Sequence, residues 1–167
     1  LFGTGIRPTK LEDKRQHTGE LYKDRAKMRA LLDGALNTAK NQGANTGNTV
    51  VMGYCFGGAA VLEMARSGAD MKGFATFHGG LSTPKDQDYS QTKGKLLIMH
   101  GSADTVISMS SFAALATDLE SSGVDHEMIT YSGAPHAFSV FNTDSYREDT
   151  DKKSWQRFTE FLGEVTR

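Results

Sequence analysis

The residues best suited to chemistry in this chain are a cysteine, an aspartate and a histidine, each placed just past a short apolar run. Cys55 stands at the centre of Gly53-Tyr54-Cys55-Phe56-Gly57-Gly58. The run Thr49-Val50-Val51-Met52 leads into it, and the helix-forming run Ala59-Ala60-Val61-Leu62-Glu63-Met64-Ala65 leaves it. That order reads as strand, tight turn and helix, with a thiol at the apex. Small flanking residues suit a strained turn where strand and helix pass closely. Helix-end N–H groups beside the sulfur would favour a thiolate and a developing oxyanion. A lone cysteine in such a turn is equally well a small buried hydrophobe. A cysteine nucleophile also needs a base for its proton and an acid to orient that base.

Both are supplied. Asp104 follows the apolar run Leu96–Met99 in His100-Gly101-Ser102-Ala103-Asp104, and His136 follows a run ending near Tyr131 in Ser132-Gly133-Ala134-Pro135-His136-Ala137-Phe138. Taken singly, Asp104 reads as a turn or capping residue and His136 as a surface residue. Together, the order nucleophile, acid, base, each in a loop after a strand, is that of the α/β-hydrolases, whose nucleophile occupies such an elbow. Open α/β sheets collect ligands at the C-terminal ends of their strands. Cys55, Asp104 and His136 are therefore expected to converge, with the Phe56 backbone N–H as an oxyanion donor.

Other candidates are weaker. His78, in Phe77-His78-Gly79-Gly80, and Tyr54, beside the cysteine, are candidate substrate-binding residues; a structural role for His78 is an equal alternative. His100 reads as structural, His17 as a loop residue and His126 as a strand-edge residue. No Cys-x-x-Cys or His-x-x-x-His pair suggests zinc, and the Gly-rich turn lacks the Gly-Lys-Ser/Thr ending of a phosphate loop.

The elements that must position these groups are legible from periodicity. Leu1 to Gly19 reads as an exposed loop, broken by Gly3, Gly5 and Pro8 and densely charged from Lys10 to Arg15. A helix is expected from about Glu20 to Asn41, with Leu21, Met28, Leu31, Leu32, Ala35, Leu36 and Ala39 on one face. Strands are expected at Thr49–Met52, Gly73–Phe77, Lys95–Met99 and His126–Tyr131. Between them lie the Cys55 helix, a polar loop from Ser82 to Gly94, and a helix capped by Ser108 with Phe112, Leu115, Ala116 and Leu119 inward. A last helix puts Trp155, Phe158, Phe161, Leu162 and Val165 on one face. Strands alternating with helices predict an α/β fold with a mostly parallel sheet flanked by helices, as one domain over residues 1–167. The wholly apolar runs Val50–Met52 and Leu96–Met99 suit strands covered on both faces.

Composition narrows the function classes. The chain has 167 residues, 38% of them hydrophobic and 23% charged, as expected of a globular protein with a real core. A net charge of −1 implies no general attraction to nucleic acid or anionic membrane. No apolar run approaches the length of a bilayer span. A single cysteine precludes an internal disulfide framework and fits a reducing, cytoplasmic compartment. The opening Leu1-Phe2-Gly3, without an initiator methionine, reads as the interior of a longer protein.

Gly-Tyr-Cys-Phe-Gly-Gly, His-Gly-x-x-Asp and Pro-His-Ala-Phe together resemble the dienelactone hydrolase family of α/β-hydrolases. The resemblance runs over nearly the whole chain, including the opening Leu-Phe-Gly-x-Gly and the aromatic C-terminal helix. It implies a Cys55-His136-Asp104 triad and hydrolysis of a small-molecule ester or lactone through an acyl-thioester. It implies no metal or organic cofactor and no nucleic-acid or membrane partner. It also implies that the fold begins upstream of Leu1, where the first strands, a second oxyanion donor and a thiol-activating glutamate would lie. A strand edge left open there would favour self-association of this polypeptide. Dienelactone hydrolases proper hold a substrate carboxylate with arginines; the matching positions here are Thr4 and Val140, which favours a neutral or different ester. A thioesterase or acyl transferase with the same triad, a non-catalytic binding member of the fold, and a redox-sensing thiol are the alternatives to an esterase.

Overall fold

The computed structural model describes residues 5–167. Thr4 and the opening Leu1-Phe2-Gly3 lie outside them. The backbone falls into two compact units, Leu1–Thr46 and Gly47–Arg167.

The first unit holds two helices, α1 (Leu11–Lys23) and α2 (Arg25–Asn41). The loop expected up to Gly19 is therefore helical from Leu11, and His17 lies on a helix. Its dense charge is compatible with helix because charged side chains are good helix formers when solvated. Glu12 and Asp13 sit in the first turn, where the helix dipole favours acids. Gln16 Nε2 donates to Glu20 Oε1 one turn on, at 3.1 Å. Gly19 is half-buried and costs about 1 kcal/mol relative to alanine, too little to break the helix. Asp24 separates the helices and caps the second, its Oδ1 accepting from Lys27 N–H at 2.9 Å.

The second unit is a four-stranded parallel sheet in the order β1 (Val50–Tyr54), β2 (Gly73–Phe77), β3 (Lys95–Gly101) and β4 (His126–Tyr131). The register sets Tyr54 beside Phe77, Phe77 beside Met99 and Gly101 beside Tyr131. The C-terminal ends of all four strands therefore form one rim. β1 and β4 are the outer strands of this sheet.

Alternation along β2 assigns the two faces. Ala75 and Phe77 join Leu97, Met99, Phe158 and Phe161 in one buried cluster beneath α5 (Glu148–Val165). Thr76 points the other way, toward Gly58 of α3 (Phe56–Arg66). α5 buries Ser154, Phe158 and Phe161. Trp155 and Leu162, expected on that face, are 49% and 37% exposed, because on a 3.6-residue period they fall on the flank of the stripe centred on Ser154 and Phe158. In α4 (Met109–Ser121), Leu115 and Leu119 are buried and the Ser108 hydroxyl accepts from Ser111 N–H at 3.2 Å, as its capping role requires.

The loop from Ser82 to Gly94 carries no helix, yet it is anchored. Arg66 is 5% exposed and its guanidinium donates to Glu63 (2.7 Å), Gln87 (2.7 Å) and the Tyr89 hydroxyl (2.7 Å). Gln87 Nε2 returns to Glu63 at 3.0 Å. No helix of the described residues is long and apolar enough to cross a membrane.

Candidate active site

The strand β1 ends at Tyr54 and α3 begins at Phe56, so Cys55 alone makes the turn. Its φ of 51° and ψ of −118° lie where an L side chain is strained. The turn survives because the backbone around it is fully engaged. Cys55 N–H donates to Phe77 O (3.1 Å), and Cys55 O accepts from Gly58 (3.0 Å), Ala59 (3.3 Å) and Gly80 (3.3 Å). A side chain at Gly53 would collide with the Gly57 carbonyl, and one at Gly58 would come within 2.7 Å of Gly79 Cα. Gly53 and Gly58 are thus required by a close approach of backbone to backbone.

The thiol stands exposed at the start of α3. His136 Nε2 lies 3.3 Å from its sulfur, and His136 Nδ1 donates to Asp104 Oδ2 at 2.8 Å. Asp104 is buried, and its other oxygen accepts N–H groups from Val106 and Ile107, each at 2.8 Å. Those two bonds fix the carboxylate, the carboxylate fixes the imidazole, and Nε2 is left facing the sulfur. The structure thus brings Cys55 and Asp104 together with His136, which lies 81 residues past Cys55.

Electrostatics follow the contacts. The His136 hydrogen bond holds the Cys55 thiol below its ordinary range against opposing desolvation, helped by the Phe56 N–H. The same bond to Cys55, with Asp104 behind it, pushes His136 up to about 9 although burial opposes it. Phe56, whose N–H contributes to lowering the thiol, is the first residue of α3.

Tyr54 is 38% exposed and stacks on Phe77 with ring centroids 4.5 Å apart. Burial and the Asp151 carboxylate raise its hydroxyl above the ordinary phenol value. His78 is fully buried at the end of β2, its ring edge-on to His136 at 5.3 Å, and its Nε2 pairs with Ser139 Oγ at 2.9 Å. His100 is buried, pairs through Nε2 with Ile107 O at 3.0 Å and stacks on Phe112, a structural arrangement. His126 opens the outer strand β4. Val140, matched by resemblance to a carboxylate-binding position, is 41% exposed. Ser139 was not legible as a site residue; the only signal is its position three residues past His136. Among the described residues no group of three or more His, Cys, Asp or Glu side chains could hold a metal ion.

Comparison with known proteins agrees with this fold. The dienelactone hydrolase family pattern matches residues 1–166. A curated protein of Salmonella typhimurium named "Putative carboxymethylenebutenolidase" is 25% identical over 141 residues, 80% of this chain and 52% of its own length. This chain thus spans about half the length of the curated relatives it matches. A solved structure named m3DLH is 30% identical and superposes with a TM-score of 0.90, over 100% of this chain and 73% of that one. A dienelactone hydrolase-like promiscuous phosphotriesterase, P91, from metagenomic libraries is 25% identical with a TM-score of 0.82, over 97% of this chain and 70% of that one.

Proposed function

The chain belongs to the dienelactone hydrolase family, and from that premise we propose that it hydrolyses a carboxylic ester or lactone with Cys55 as nucleophile, His136 as base and Asp104 as the orienting acid. The observation that carries the reading is the unbroken line from Asp104 through His136 to the Cys55 sulfur, with links of 2.8 and 3.3 Å.

The chemistry runs in two halves. His136 holds the Cys55 proton, and the thiolate attacks the carbonyl carbon. The Phe56 N–H stabilises the resulting oxyanion; one such donor is worth roughly 2.7–4 kcal/mol of barrier. As the tetrahedral species collapses, the C–O bond to the leaving alcohol breaks and His136 returns the proton to that oxygen. An acyl-thioester remains on Cys55. His136, now neutral, takes a proton from water as the water attacks the acyl carbon. The C–S bond then breaks, releasing the acid and restoring the pair.

The test is hydrolysis of p-nitrophenyl acetate by the wild-type protein, by Cys55→Ala and by His136→Ala. Loss of turnover in both variants with folding intact supports the assignment. Turnover undiminished in Cys55→Ala defeats it. A thioester and a phosphotriester belong on the same panel, because the triad suits acyl transfer in general and one solved relative is described as a phosphotriesterase.

A further inference from the structure

We propose that His78 is a positioning residue for His136: through Ser139 it ties down the loop that carries the base, and its ring braces the base edge-on. The inference rests on the hydrolase reading and adds a residue to it.

Three observations converge. The first is strain. Among the described residues only four that are not glycine have positive φ: Cys55 (51°), His78 (40°), Ala137 (62°) and Asn142 (60°). Cys55 is the nucleophile of the reading, Ala137 follows the base, and His78 abuts it. Strain of this kind persists only where the surroundings enforce it. At His78 they do: its N–H donates to Met99 O at 2.8 Å, holding the strained residue against the end of β3.

The second is the bond itself. His78 Nε2 and Ser139 Oγ are 2.9 Å apart, and both residues are buried. Ser139 is three residues past His136 in a segment without regular structure. With Asp104 bonded to Nδ1 of the base at one end and His78 bonded to Ser139 at the other, the segment 136–139 is anchored to two neighbouring strand ends, after β3 and after β2. Phe138, fully buried, fills the space between, edge-on to His78 at 5.1 Å.

The third is charge. The groups facing His78 are His136 and Asp104 from the loops after β4 and β3, His100 from β3 and Tyr54 from β1. Desolvation first, and the His136 charge second, push the His78 imidazole down to about 4, so it is neutral at neutral pH. A second cation at this distance would oppose the imidazolium of His136; a neutral ring braces it without that penalty.

The test measures the pH dependence of Cys55 alkylation by iodoacetamide, with kcat and KM for p-nitrophenyl acetate, in wild type, Ser139→Ala, His78→Phe and His78→Gln. Ser139→Ala removes one hydroxyl and is the variant least able to disturb folding. We expect it and His78→Phe to raise the apparent thiol pKa and lower kcat by about tenfold to a hundredfold, with KM little changed, since small misplacements of a catalytic group cost that much. His78→Gln, whose amide reaches the Nε2 position, should recover part of both. Wild-type alkylation and kcat in Ser139→Ala and His78→Phe, with only a lower Tm, would overturn the inference. So would a rise in KM alone, which marks a substrate contact. A wild-type thiol titrating as an ordinary cysteine would sink the hydrolase reading itself. A low wild-type thiol pKa that both variants preserve sinks only the role of His78.

Discussion

The His136 imidazole and the Cys55 sulfur, 3.3 Å apart, displace each other's titration in opposite directions: the thiol falls and the imidazole rises to about 9. Both shifts favour the thiolate–imidazolium pair over the neutral one. Ester turnover should therefore be bell-shaped in pH, with an acid limb below the ordinary thiol range as the sulfur takes a proton. Its alkaline limb should lie near 9, where His136 loses its proton. Alkylation of Cys55 needs only the thiolate and should rise once and level off. In His136→Ala the principal cause of the lowered thiol is gone. Alkylation at pH 7 should then drop, because a thiol of ordinary pKa about 8.5 is only a few per cent ionised there.

Asp104 predicts a sharper split between activity and stability. Its Oδ1 accepts two backbone N–H groups and its Oδ2 accepts His136 Nδ1–H. Asp104→Asn can keep the two backbone bonds by presenting its oxygen to them, which leaves an NH2 facing Nδ1. That donor imposes the wrong tautomer on His136. In serine proteases the equivalent change costs about 10⁴-fold in kcat with geometry intact, and a loss of roughly 10³–10⁴-fold is expected here. Thermal unfolding beside steady-state kinetics checks it: a large kcat loss with little change in Tm is the expected outcome.

What the sequence makes legible depends on which interactions are local. The four strands and the convergence of Cys55, Asp104 and His136 follow from runs of apolar residues and from chain order, and both are written in short windows. The part of helix α1 before Glu20 reads as a loop because the segment is densely charged and follows Gly3, Gly5 and Pro8, whereas solvated polar side chains spaced a turn apart support a helix. Ser139 was missed because its partner, His78, is 61 residues away. Glu63 and Arg66 look like surface residues of a helix, yet both side chains are essentially excluded from solvent; only the loop folded over them reveals it. Trp155 and Leu162 carry the right residue types for the core and sit a fraction of a turn from its centre.

The elbow glycines should separate cleanly by mutation. At Gly58 a methyl group would press on the Gly79 backbone at 2.7 Å, and neither helix α3 nor the Gly79 segment can yield without disturbing Cys55. Gly58→Ala should destabilise by about 1–3 kcal/mol, the usual range for overpacking. At Gly57 an added Cβ meets nothing within 4 Å. Gly57→Ala should be neutral or stabilising by up to about 1 kcal/mol from helix propensity. Denaturant unfolding of the two variants against wild type measures both. Equal effects at the two positions would contradict the close-approach account.

The Glu63–Arg66 pair supplies the strongest stability prediction. Its side chains are 0% and 1% exposed, and Gln87 and Tyr89 of the loop complete the hydrogen bonds of the guanidinium. Arg66→Ala removes the guanidinium from the buried Glu63 carboxylate and leaves a void beside it, while Gln87 still donates to it. Removing one member of a buried pair costs roughly 3–5 kcal/mol. The pair Lys152–Glu148, four residues apart on α5, has side chains 70% and 65% exposed. Lys152→Ala should cost less than about 1 kcal/mol, and that small cost should fade with added salt. Because the network anchors the Ser82–Gly94 loop to the helix that begins at Phe56, Arg66→Ala should also speed proteolysis within that loop at temperatures where the sheet remains folded. Loop cleavage no faster than in wild type, together with a Tm shift no larger than that of Lys152→Ala, would show that the buried pair does not hold the loop.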